Sequence, residues 1–481
     1  MTLHEHQQAP LLHLSLITTA AVALAALLAA ASAAGRAQTV ILLAAGIGAA
    51  FVVIERPRWA LLAILVATGT VLPIRFGPFE VAGVRSDLPE ALLILLLVTW
   101  VVSATLKGES FPLLAWPVAG LVGAATVGAI TALAKGAAFG EVLGAFKTYI
   151  FWLLLLPLWV VIREDGDSDW VERAVIWLAV GASALTLVLA AAGVGAPSGE
   201  TGVTTLGVES EATRYRPAVL QIAFLSTFLL AHRAAIRGWT MQRATAFGLL
   251  LLVQAISFNR STWVALGVCL TLFGLLSRGG PPLRGLTTVL TSGALVVAAL
   301  GIAASGVLGG SAEALALRAN SVLTPSVFEE RSQELRNEEN EVAVRAIKAN
   351  PLTGVGLNQR FGQRTSRYSH QVGYAIYSDT TLVHNTYLKL WLETGLAGIL
   401  ALAGLAVALA TITRRHRRGE SQWVASRSLA CSMCLLGFAL QAIYQTKLYH
   451  RPTIVAAACA LVIVGAGDLA RRERPVAASV A

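Results

Sequence analysis

An all-α bundle of membrane-spanning helices is the fold class this sequence predicts, and three observations lead there. Hydrophobic residues make up 56% of the 481 residues and charged ones only 13%, against about 45–50% and about 25% in soluble domains. Mean hydropathy is +0.68. The apolar residues fall in long continuous runs, and Arg and Lys gather in the short joins between them. Continuous runs suit helices, which satisfy their own backbone in lipid; a β-barrel would alternate. Such a composition excludes an ordinary soluble enzyme and a disordered chain. The net charge of +10 does not indicate a nucleic-acid partner, because the cations sit where cytoplasmic loops carry them. Four cysteines make no disulfide framework.

About fourteen spans are predicted: Leu11–Ala33, Gln38–Ile54, Trp59–Pro73, Leu88–Thr105, Leu113–Ala134, Lys147–Ile162, Val171–Ala192, Pro217–Ala231, Ala244–Ile256, Trp263–Leu276, Leu286–Leu308, Asn385–Thr411, Val424–Ile443 and Thr453–Leu469. Several are shorter than the roughly 20 residues a bilayer requires, which makes twelve the alternative count. The first lacks a basic start and is followed at once by further spans, so it reads as a retained helix and not a signal peptide. Three regions follow: N-terminal membrane helices over 1–308, an outer loop over 309–384, and C-terminal helices with a basic tail over 385–481.

Basic joins set the orientation. Arg414, Arg415, Arg417, Arg418 and Arg427 share one join, and Arg471, Arg472 and Arg474 lie in the tail. By the positive-inside rule these are cytoplasmic, as are both termini. The joins Gly193–Arg216 and Ser257–Thr262 and the stretch Gly309–His384 then face outward. Within that stretch Val327–Ala349 reads as a charged helix over the membrane helices, not through them. Asn350-Pro351 ends it, and Gly354-Val355-Gly356 allows a tight turn. A polar segment follows over Gln359–Thr381, with His370 as a second outer histidine.

His384 stands where this loop meets the next span. That span would be about 40 Å long at 1.5 Å per residue, longer than the roughly 30 Å hydrocarbon core, so its first turns reach the headgroup layer. A histidine there is placed to accept a proton from a hydroxyl at the lipid–water boundary; the alternative is a residue that only caps the helix. Lys389 and Glu393, four apart, read as a structural pair. Cys431 and Cys434 have metal or redox spacing but fall inside a span, and they read as small packing residues.

The run from His384 to Gly398 closely resembles the signature of the bacterial O-antigen ligase and polymerase superfamily: His, then Asn, Ser or Gln, nine residues, Gly, two residues, and Gly, Thr or Tyr. His384, Asn385, Gly395 and Gly398 fill its defined positions. The segment Asn350-Pro351-Leu352-Thr353-Gly354-Val355-Gly356 is similar to the family's Asn-Pro-Leu-x-Gly-Val-Gly. Arg336 falls where the family often has an arginine opening the preceding helix, and Asn259-Arg260-Ser261 with Trp263 is similar to its short outer turn. Asn259 stands where Ser is commoner, and Asn340 replaces a usual aromatic residue. The likeness covers roughly Arg214 to Gly398.

The resemblance implies glycosyl transfer on the outer face of the bacterial inner membrane. The donor would be a glycan on undecaprenyl pyrophosphate. The acceptor would be a hydroxyl of lipid A core or of another lipid-linked glycan. His384 would be the base. Without an acidic metal motif, the pyrophosphate would be held by arginines, whose planar fork pairs with phosphate oxygens: Arg260, Arg214 or Arg216, and Arg336. Each has the alternative of an interfacial anchor. No metal or other cofactor is called for, and membrane lipids are the remaining partner. The competing reading is a flippase or transporter of lipid-linked sugars, which would be expected to carry charges near the membrane midplane; here they sit mostly at helix ends.

Overall fold

The computed structural model describes residues 57–66, 68, 79–81, 84–107, 113–165, 168–191, 204–205, 213–214, 219–257, 259–277, 327–362, 366–369, 374–377 and 383–478. The expected spans Leu11–Ala33, Gln38–Ile54 and Leu286–Leu308 lie outside these residues, as do Arg216 and His370.

Among the described residues the chain is a helical bundle with three short antiparallel strand pairs. The helices are α1 (Pro57–Leu65), α2 (Leu88–Lys107), α3 (Ala115–Ala134), α4 (Phe139–Ile150), α5 (Leu155–Asp165), α6 (Ser168–Ala191), α7 (Leu220–Arg237), α8 (Met241–Ala255), α9 (Arg260–Leu276), α10 (Val327–Ala349), α11 (Thr386–Gly419), α12 (Gln422–Ala442) and α13 (Arg451–Ala478). Short 3-10 turns at Phe151–Leu154 and Lys447–Tyr449 join α4 to α5 and precede α13. The strand pairs are β1 (Phe79–Val81) with β2 (Val84–Ser86), β3 (Thr204–Thr205) with β4 (Thr213–Arg214), and β5 (Ser366–Ser369) with β6 (Tyr374–Tyr377).

Five described stretches are long and apolar enough to cross a membrane: Ala115–Ala134, Phe139–Ile162, Ser168–Leu189, Thr386–Gly419 and Gln422–Ala442. They identify an integral membrane protein. Several expectations change in extent, two of them for a visible reason. The span expected from Lys147 begins at Phe139, because Lys147 is not a boundary: its ammonium pairs with Glu90 at 2.8 Å and so is carried inside the helix. The helix expected to stop at Thr411 runs on to Gly419, with His416, Arg417 and Arg418 in its last turn, where cations suit the helix dipole.

The basic joins meet at one end of the bundle. Arg427 pairs with Asp169 at 2.5 Å and Arg233 with Glu172 at 2.6 Å. The Arg237 guanidinium lies over the Trp423 ring, and Arg417 donates to the Leu276 carbonyl. Cys431 and Cys434 are free and fully buried in the packed core.

The core element is α11. It packs antiparallel on α3, with Gly128 against Glu393, Gly120 against Ala401 and Pro117 against Gly404. A Cβ on Gly128 would lie 2.2 Å from the Glu393 carbonyl oxygen, so the missing side chain is what lets the two backbones meet. The helix is not straight: Gly395 has φ 66° and ψ −161°, which breaks it nine residues after its start.

Candidate active site at the start of helix α11

The break at Gly395 is filled by the turn that follows α10. The Leu392 carbonyl, freed by the break, accepts from Val355 N at 2.6 Å and Gly356 N at 3.3 Å. In return Leu396 N donates to the Leu352 carbonyl at 3.1 Å. The Trp391 indole donates to the Pro351 carbonyl at 2.8 Å, Leu357 N to the Gly128 carbonyl at 3.1 Å, and Lys135 Nζ to the Val355 carbonyl at 2.9 Å. The Asn-Pro-Leu-Thr-Gly-Val-Gly segment is therefore a backbone plug docked into a kinked helix. The contact admits glycine alone: a Cβ on Gly354 would sit 2.3 Å from the Leu392 oxygen, and one on Gly395 2.0 Å from the Leu352 oxygen. Two motifs about forty residues apart in sequence turn out to be the halves of one joint.

That joint holds α10 against α11. Ala343, Ile347, Val355, Val383 and Leu392 form a separate buried cluster there, each large side chain contributing about 1.5–3 kcal/mol of burial. Ala343 and Ile347 lie four and eight residues after Glu339, so Glu339 is on the same face of α10. Arg336, half-buried and one turn earlier, is on that stripe as well.

Glu339 meets the histidine. Its Oε2 lies 2.8 Å from His384 Nδ1 and also accepts from the His384 backbone N at 3.4 Å. A carboxylate only accepts, so the Nδ1 proton faces Glu339, and in the neutral imidazole Nε2 keeps the lone pair. His384 keeps 40% of its side chain exposed, whereas Glu339 keeps 13%. The histidine faces the open side and the carboxylate is shielded. Next along the chain, Asn385 caps α11: its Oδ1 accepts from Tyr387 N at 2.9 Å and Leu388 N at 3.2 Å. The histidine thus sits on a capped and rigid helix start.

Gln445, in the join between α12 and α13, ties this helix start to the short turn before α9. The Thr386 hydroxyl donates to the Gln445 carbonyl at 2.6 Å. The Gln445 amide nitrogen donates to Asn259 Oδ1 at 2.9 Å and to Ser261 Oγ at 2.8 Å, while Ser261 Oγ donates to Asn259 Oδ1 at 2.8 Å. Arg260 lies between these two residues as the first residue of α9. His384 and Arg260 are both within two residues of one hydrogen-bonded network. Arg214 is placed in β4, paired with Thr204.

Behind the helix start lies a second polar cluster. Tyr149 donates to Glu393 Oε2 at 2.7 Å and shares a 2.7 Å hydrogen bond with Tyr449. Lys389 Nζ lies 3.8 Å from Glu393 Oε1 and over the Tyr449 ring. Burial, with the Glu393 carboxylate close by, pushes the Tyr449 phenol well above its usual range. The single Tyr149 proton is given to Glu393, so Tyr449 is the donor to Tyr149. Arg451 bridges Asp87 and Glu90, and Lys147 joins the same Glu90. Lys389 and Glu393 are the structural pair expected of them.

Sequence reasoning left Gln445, Tyr149, Tyr449, Glu90 and Arg451 aside. The available signal for Glu339 was its helical register with Ala343 and Ile347. Gln445 gave none, since an isolated glutamine in a short join has no pattern.

Residues 245–403 match the family model described as O-antigen ligase. The match supports placing this third of the chain in the O-antigen ligase and polymerase superfamily. It contains the Arg260 turn, the α10 plug, Glu339 and His384, and stops short of Gln445. No curated protein matches the chain.

Proposed function

Proceeding from the O-antigen ligase match over 245–403, we propose that this chain is an inner-membrane glycosyltransferase acting on the outer face, with both termini in the cytoplasm. Its donor is a glycan on undecaprenyl pyrophosphate. Its acceptor is a hydroxyl of lipid A core or of another lipid-linked glycan. The observation that carries this reading is the His384–Glu339 contact at 2.8 Å, hydrogen-bonded through Thr386 and Gln445 to the turn that holds Arg260.

The acceptor oxygen attacks the anomeric carbon while the bond from that carbon to the pyrophosphate breaks. The acceptor proton passes to His384 Nε2, and Glu339 holds the imidazolium that forms. Direct displacement inverts the anomeric centre. The leaving pyrophosphate takes up charge as the bond breaks, and guanidinium groups meet it. Arg260 is the central one, with one of Arg214 and Arg216, and with Arg336 from the same stripe of α10 as Glu339.

The test is His384→Ala, purified in detergent and given lipid-linked donor and acceptor, with product read on a gel. Losing a general base costs about 10²–10⁴ in rate. Transfer at the wild-type rate by a variant that elutes and melts like the parent would remove His384 from the chemistry.

A further inference from the structure

Along α11 and α12 runs a groove whose basic end lies away from His384. It encloses about 860 Å³. Its α11 wall is the stripe Ile399, Leu402, Ala406 and Leu409, and its α12 wall is Leu429, Met433, Leu436 and Ala439. Residues three and four apart on one helix share a face, so each wall is continuous, and the alanines leave the width. The groove extends from Tyr387 to Arg414, roughly 40 Å of helix at 1.5 Å per residue, which is long enough to receive an extended acyl chain. Almost every side chain along it is apolar until the end away from His384. There Arg414, Arg417 and Arg418 line the mouth together. Arg414 and Arg418 are exposed, and Arg417 gives one nitrogen to the Leu276 carbonyl at 3.0 Å.

We propose that this groove is a binding site for an anionic phospholipid of the leaflet facing the Arg414–Arg418 end, its phosphate held by the three arginines and one acyl chain laid between α11 and α12. Charge complementarity chooses the occupant. A zwitterionic lipid satisfies the apolar walls equally well, but only a net negative headgroup repays the clustering of three cations at one mouth, and basic pockets between membrane helices on the cytoplasmic side are where such headgroups bind. Position separates this lipid from the donor: the arginines stand at the opposite end of α11 from His384.

The experiment uses the full-length protein, stripped in detergent, supplied with palmitoyl-oleoyl phosphatidylglycerol or phosphatidylcholine, and weighed intact by native mass spectrometry. Phosphatidylglycerol adducts are expected to survive at collision energies that remove phosphatidylcholine. The triple variant Arg414→Gln, Arg417→Gln, Arg418→Gln should lower phosphatidylglycerol retention about tenfold, and Ala406→Phe, which fills the groove and keeps every charge, should lower it as well. Arg173→Gln, an exposed cation on α6, should leave it unchanged. Equal retention of the two lipids would overturn the proposal. So would an Arg173→Gln loss as large as the triple variant's, which would mean diffuse surface charge, or full retention in Ala406→Phe, which would mean that the groove is not the seat.

Discussion

Replacing Gly395 by alanine tests the joint between the two motifs. The backbone there, at φ 66° and ψ −161°, is in a region that only glycine occupies without strain, and a side chain costs about 1–3 kcal/mol. The added Cβ would also lie 2.0 Å from the Leu352 oxygen and 2.6 Å from its carbon. Those are backbone atoms and cannot rotate away, so the plug must lift. Lifting breaks the hydrogen bonds from Leu396 N to Leu352 and from Val355 N to Leu392, each contributing about 0.5–1.5 kcal/mol. The total is roughly 2–6 kcal/mol. Gly123→Ala is the matched control: it lies within α3 with no atom within 4 Å of the new Cβ, and alanine there stabilises by about 0.5–1 kcal/mol. Because unfolding in detergent is commonly irreversible, the readout is the half-life of folded protein at fixed temperature, alongside a thermal melt. Gly395→Ala should melt several degrees below the parent and Gly123→Ala at or above it. Equal melting of Gly395→Ala and the parent would refute the docked plug.

Three further outcomes are expected. Glu339→Gln, which removes the charge facing His384 Nδ1, should lower the transfer rate by about 10²–10⁴-fold with little change in donor KM; steady-state kinetics on purified protein decides it. Arg260→Lys keeps the charge but loses the paired donors of guanidinium, so activity should fall sharply while expression stays normal; of Arg214→Lys and Arg216→Lys, one should behave likewise. Gln445→Glu cannot donate to Asn259 or Ser261, and kcat should fall about tenfold without loss of folded protein, as measured by size-exclusion recovery beside the activity assay.

Much of this architecture was legible in the residues. The charged helix expected at Val327–Ala349 is found with those bounds, because its charges, its helix formers and the closing Asn350-Pro351 all act locally. The helix after His384 was expected to run unbroken and does not. A glycine within an apolar run does not announce a kink, since the break at Gly395 exists only because a distant backbone segment supplies hydrogen bonds to the carbonyl it frees. The site divides in the same way. His384 could be placed from its position at a helix start and its match to a signature. Glu339 as its partner depends on how α10 lies across α11, a tertiary fact 45 residues removed in sequence. The short spans around Lys147 were hardest to bound, because a charged residue that finds Glu90 inside the bundle looks, in sequence, like the edge of a span.

The bridge through Gln445 bears on what an excised or transplanted segment could do. Residues 245–403 carry the recognisable signature, yet the amide that fixes the Asn259–Ser261 turn relative to Thr386 comes from beyond their end, and the Gly128 carbonyl that anchors Leu357 comes from before their beginning. A chimera exchanging 245–403 between relatives would inherit His384 and Glu339 with both flanking struts supplied by the host. Its success would depend on the host presenting a donor amide after α12 and a glycine on α3, so those two flanking positions set the minimum transferable unit.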